Sequence, residues 1–351
     1  MRPKHDNLQM TICRLRRAFT LVEMLVLACV VAVLLTVFVP YVLKIRETSR
    51  RAQCHNNLRK IGFALNAYAR DHREYSSAYP QSRHHPAMQG GYVAYSGADD
   101  PRKVLPNDVT ASLWLLITHN PGADRAYEPF RPTAATFICP SAGDSADPLR
   151  TATGQPVHDI AQQRGNFRSG HNLSYSYCSP FSANPRFKLV DWLDARFAVM
   201  ADKNPGVLGR GDNVLGPTVH STPLEMRQAN SNNHGKTGQN VLYADGHVEW
   251  RTNPYCGVWD DNIYTAKSAG PMDNSDRTTS VVGFFGTAYG PSKWDDSYLV
   301  PSDDQNTAAE YVRLMPAATQ AAVAAIANAP SETPPPAASS RPSGVGGAAE
   351  P

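Results

Sequence analysis

Arg16-Arg17-Ala18-Phe19-Thr20-Leu21-Val22-Glu23, followed by an uncharged apolar run from Met24 to Leu43, is the stretch that decides how the chain is read. A helix of twenty residues spans about 30 Å, the thickness of a hydrocarbon core. Arginines precede the run and Lys44, Arg46, Arg50 and Arg51 follow it, so flanking charge alone leaves orientation open. A carboxylate in lipid is costly and marks function, and Glu23 stands near the start of the run. Pro40 lies inside it and predicts a kink or a locally melted turn. Apolar residues then recur outward at Ile45, Ala52, Leu58, Ile61, Leu65 and Tyr68, mostly at three-, four- and seven-residue steps. The pattern predicts one helix from about Phe19 to about Arg73, lipid-like in its first half and amphipathic in its second.

The formal charge of the 351-residue chain is +3. Arg2, Lys4, Arg14, Arg16 and Arg17 against Asp6 give the first 18 residues a net +4, so the remainder stands at −1. The basic balance belongs to the leader, and nucleic-acid binding by a broad basic face loses its support. Of the six cysteines, Cys13 lies in the leader and Cys29 in the apolar run. Cys54, Cys139, Cys178 and Cys256 allow three pairings, and Cys139–Cys178 is the first to test.

Three other N-terminal signals fit less well. A twin-arginine signal is not followed by so long an uncharged span. Val26-Leu27-Ala28-Cys29 is similar to a lipoprotein box, but the run stays apolar from Val30 to Leu43. No small-residue cleavage site follows Leu43, as an ordinary signal peptide requires. Arg17-Ala18-Phe19-Thr20-Leu21-Val22-Glu23 resembles the class III leader of type IV pilins and type II secretion pseudopilins, with alanine where glycine is usual before the cut. The resemblance implies cleavage by prepilin peptidase between Ala18 and Phe19 and methylation of the new Phe19 amine. It makes Glu23 the fifth mature residue, whose carboxylate pairs with an N-terminal amine of a neighbouring or the same subunit. An ion pair across subunits would offset the cost of a charge in lipid.

Arg51 to Gly62 resembles the segment after the leader in a bacterial family of prepilin-like proteins whose C-terminal signature is a histidine, nine residues, then Asp-Gly. His234 and Asp245-Gly246 match it with ten intervening residues, and the Gly235–Gln239 loop is where the extra one fits. Asp202, His234 and Asp245 are candidates for a cation site, calcium by the resemblance. The plainer reading is that His234 caps a loop and Asp245 serves a turn. His84 and His85 read as solvated, because no carboxylate or cysteine accompanies them at ligand spacing.

Among the remaining segments, residues 109–119 suit a short helix, 136–141 a strand ended by Pro140, 173–178 a half-buried strand and 197–201 a buried strand. Asn240 to Trp250 reads as a hairpin about a two-residue Asp245-Gly246 turn. That register puts Val241, Tyr243, Val248 and Trp250 on one face, and His247 and Glu249 on the other. Residues 281–285 are an apolar run, 307–328 are Ala-rich and helix-prone, and the Pro-rich 330–351 reads as disordered.

The expectation is an α+β, pilin-like fold: a long N-terminal helix packed by its outer half on an antiparallel sheet with long loops. Its parts are a leader over 1–18, a transmembrane half over 19–43, an amphipathic half over 44–75, a domain over 76–328 and a tail over 329–351. No HExxH, GxSxG or P-loop motif is present, so no enzyme is expected. No cofactor beyond the calcium option is expected. The expected partners are prepilin peptidase, the membrane and other pilin-like subunits or copies of itself, in the cytoplasmic membrane with the C-terminal part outside. The alternative is a membrane-anchored binding module that does not polymerise.

Overall fold

The computed structural model describes residues 20–72, 78–84, 92–95, 97, 100–118, 132–151, 153–182, 184–206, 221–266, 281–282, 291, 293–301, 321 and 324–325. The expected cleavage pair Ala18 and Phe19, His85, nearly all of 307–328 and the tail lie outside them. The chain divides into two compact units, residues 1–49 and 50–351, and helix α1 (Leu21–Asp71) contributes to both.

In the first unit α1 carries apolar residues on every side from Met24 to Leu43, nearly all of them exposed, with Leu25, Val33, Leu34, Val37 and Phe38 open. Among the described residues it is the one helix long and apolar enough to cross a membrane. The helix runs on through Pro40, which rules out the melted turn of the two expectations there. A proline removes one backbone donor, a loss that a long helix absorbs locally.

In the second unit α1 buries Cys54, Leu58, Ile61, Leu65 and Ala69 at steps of three and four. The buried stripe therefore starts at Cys54; Ile45 and Ala52, expected in it, are exposed. Its apolar face lies on a five-stranded antiparallel sheet in the order β4-β3-β2-β1-β7. The strands are β1 Tyr175–Cys178, β2 Ala198–Asp202, β3 Gln239–Tyr243, β4 Val248–Arg251 and β7 Leu299–Val300. A separate pair joins β5 Thr265–Ala266 to β6 Val281–Val282. Gly62 marks a close approach of helix to sheet: a Cβ there would stand 2.8 Å from Leu242 Cδ1. Helices α2 (Val109–Thr118), α3 (Ile160–Gln163) and α4 (Pro223–Gln228) complete the unit. The α+β architecture is the expected one.

Three local expectations are corrected. Residues 134–137 form a 3-10 turn rather than the start of a strand, with Thr133 and Thr136 capping it reciprocally. β1 is buried on both faces rather than half-buried, because tyrosines of one face and the Ser176 and Cys178 side chains of the other are all covered. The β3–β4 hairpin closes on three residues, not two. Tyr243 N donates to His247 O at 3.0 Å, and Gly246 takes φ +89°, the left-handed residue that ends a three-residue loop. Leu242 then pairs with Val248 and Asn240 with Trp250. A one-residue slip exchanges faces. Leu242, Val248 and Trp250 share the face toward α1, whereas Tyr243 joins His247 on the other, its ring stacked at 4.5 Å.

Candidate metal centre

β2 and β3 run antiparallel, so the last residue of β2 meets the first residues of β3 at one end of the sheet. Asp202 closes β2 and is fully buried. A buried carboxylate must be hydrogen-bonded to be tolerated. Its Oδ2 accepts from the Asn240 backbone N–H at 2.7 Å, and its Oδ1 from Asn233 Nδ2 at 3.1 Å. A 3-10 turn over Asn232–His234, capped by Ser231 and ended by left-handed Gly235, aims the His234 ring at the same carboxylate. His234 Nε2 lies 3.4 Å from Asp202 Oδ2, both side chains sealed from solvent.

Two sulfurs complete the group. Cys54 comes from the buried stripe of α1, and its Sγ donates to Asp202 Oδ1 at 2.9 Å across 148 residues of chain. Cys139 follows the 3-10 turn, which is tied to the residue before β1 by Ser174 N donating to Phe137 O, and its Sγ stands 3.5 Å from His234 Nε2. Cys54 Sγ, Cys139 Sγ, an Asp202 oxygen and a His234 nitrogen all lie within 4.8 Å of one another. Trp250 covers His234 edge-to-face at 5.2 Å, and the Arg51 guanidinium sits 4.2 Å from the Trp250 ring centre.

The electrostatics separate the two thiols. Burial pushes the Cys54 thiol well up, with Cys139 and the Asp202 charge adding to it. Cys139 is lowered to about 7 by the neighbouring Cys54 thiol and by His234, against its own burial. Burial drives Cys178 well up and Cys256 up to about 12. Among these four buried cysteines Cys139 alone is drawn toward the thiolate, the form that acts as nucleophile and metal ligand.

Of the predicted cation set, Asp202 and His234 converge and Asp245 does not. β3 carries the chain from Asn240 to Asp245, roughly 16 Å further on at the rise of a strand. Asp245 there lies in the exposed hairpin loop, where its carboxylate accepts from His247 N at 3.0 Å. Gly246 serves the same turn. The His234 and Asp245-Gly246 motif is thus split between the two ends of one strand. The Cys139–Cys178 disulfide is not formed; both cysteines are free. Ser174 pairs beside Cys139, and the four residues from there to Cys178 span roughly 13 Å of strand, beyond the reach of a disulfide. His84 is exposed and belongs to no metal-type group among the described residues.

Glu23 meets a partner within its own helix. Its carboxylate accepts from the Thr20 backbone N–H at 2.8 Å, and its backbone N–H donates to Thr20 Oγ1 at 3.2 Å. Thr20-x-x-Glu23 is a capping box, which satisfies donors that a helix start leaves open.

A family model described as a protein of unknown function (DUF1559) matches residues 44–186. The match includes Cys54 and Cys139 and ends before Asp202 and His234. No curated protein and no solved structure matches the chain.

Proposed function

We propose that this chain is a pilin-like structural subunit of a type II secretion or type IV pilus-like assembly, held in the cytoplasmic membrane by the first half of α1 with its C-terminal domain outside. One observation carries the reading. A single helix is uniformly apolar and exposed over one half and striped over the other, where it is docked on an antiparallel sheet. An apolar surface on every side finds no partner in water, so that half requires lipid or other copies of itself. Prepilin peptidase would cut between Ala18 and Phe19 and methylate Phe19, and the subunit's role is structural, without catalysis. N-terminal mass analysis of the chain from cells that make prepilin peptidase tests it. A mature protein starting at methylated Phe19 is expected; a start at Met1 or Cys29 overturns the reading.

A second reading is favoured by the capping box. Because Thr20 already satisfies the Glu23 carboxylate, a neighbouring subunit is not required, and the chain would act as an anchored binding module that does not polymerise. Cysteines placed beside Glu23 distinguish the two. Regular crosslinked ladders mean a filament, and monomers alone mean a solitary anchor.

A further inference from the structure

We propose that Cys54, Cys139, Asp202 and His234 form a closed tetrahedral zinc site that ties α1 to the end of the sheet. Three observations carry it, and they are independent of how the N-terminus is processed.

The donor set comes first. Two sulfurs, one imidazole and one carboxylate make four ligands of the types zinc takes, whereas calcium and magnesium require oxygens. Spacing comes second. Zinc–sulfur bonds of about 2.3 Å and zinc–nitrogen bonds of about 2.0–2.1 Å place sulfur and nitrogen about 3.5 Å apart at tetrahedral angles. Cys139 Sγ and His234 Nε2 stand at 3.5 Å, and His234 Nε2 and Asp202 Oδ2 at 3.4 Å. The Cys54 to Asp202 distance of 2.9 Å is shorter than such an edge and is that of a thiol donating to a carboxylate. Binding zinc exchanges the Cys54 proton, and any proton on Cys139, for the metal, and releases them to solvent.

The surroundings come third. Asn233 Nδ2 and the Asn240 N–H fix the carboxylate, as outer partners of metal ligands do. All four residues are buried, which leaves no open coordination position for a substrate and makes the site structural rather than catalytic. The four ligands come from α1, the loop after the 134–137 turn, β2 and the 232–234 turn. One ion therefore joins four segments that no short sequence spacing connects.

The test uses the full chain, purified in detergent under reducing conditions and titrated with zinc alone and with cobalt(II) alone. About one zinc per chain is expected by elemental mass spectrometry. Cobalt should give tetrahedral d–d absorption and a thiolate charge-transfer band. Cys54→Ser with Cys139→Ser should abolish both signals, and Cys178→Ser with Cys256→Ser should retain them. Asn233→Ala should weaken zinc affinity roughly 10–100-fold while keeping the thiolate band. Wild-type chain that binds neither metal overturns the proposal, whatever the variants do. So does a Cys54–Cys139 disulfide in unreduced, freshly isolated protein, which would make the pair a covalent staple instead.

Discussion

The two halves of α1 share a helix and differ in what they ask of their surroundings. From Leu21 to Leu43 leucine and valine point every way and nearly all stay exposed; from Cys54 to Ala69 the buried apolar residues keep to one stripe, with Arg59, Lys60 and the exposed Phe63 outside it. Secondary structure is the same, so the difference lies in the angular distribution of hydrophobicity. A stripe can be buried against one sheet face; a cylinder can be buried only in lipid or in a bundle of like helices. The first half therefore seeks lipid or like helices, and the second is a packing element.

The widest separation between them should appear in alkali. Cys256 is raised from near 9 unfolded to about 12 folded, so its contribution to stability is whole below pH 9 and is lost as pH rises toward 12. Cys178 is shifted the same way by burial. The domain should unfold cooperatively above about pH 9 by near-ultraviolet circular dichroism, and Cys256→Ala should flatten the pH slope between 9 and 12. A domain equally stable at both ends of that window would show these thiols to be solvated.

Core truncation should give the next largest contrast. Leu58→Ala or Leu65→Ala removes a fully buried side chain and should cost about 2–5 kcal/mol in denaturant unfolding of the domain. Leu34→Ala, in the exposed half, should leave that midpoint in place and weaken membrane partition by about 1–2 kcal/mol. Equal effects of Leu34→Ala and Leu58→Ala on the midpoint would erase the distinction between the halves.

Thr20→Ala should have the smallest effect, about 1 kcal/mol, felt only as faster amide exchange in the first turn of α1. A larger loss, extending into the domain, would mean that the cap organises more than its own helix end.

Much of this was legible in residue order because the signals are local or periodic. The helix, its change of character, β2 and the α2 segment follow from spacing alone. The hairpin was legible as a hairpin but not in register: Asp245-Gly246 fits a two-residue turn and a three-residue loop alike, and the choice is made by Gly246 taking the left-handed position last. Leu242 seated against Gly62 of α1 agrees with that choice. The capping box was readable as Thr20-x-x-Glu23, yet a carboxylate at the edge of an apolar run directs attention to lipid first.

The candidate metal centre was legible only in part. Asp202 and His234 belong to the expected set, but so does Asp245, which lies elsewhere, and Cys139 was expected in a disulfide instead. Cys54 carried no visible signal, since a cysteine on an apolar helix stripe is a common core residue.

What the sequence determined by itself is whatever depends on neighbours along the chain: the long helix, the lipid-like character of its first half, the α+β class and the places of β1 to β4. Tertiary structure alone decided which side of β4 faces α1 and which four side chains meet at the end of the sheet. The reason is physical. Periodicity records how a segment meets solvent or core, but a convergence such as Cys54 with Asp202, 148 residues apart, exists only once packing closes the chain upon itself.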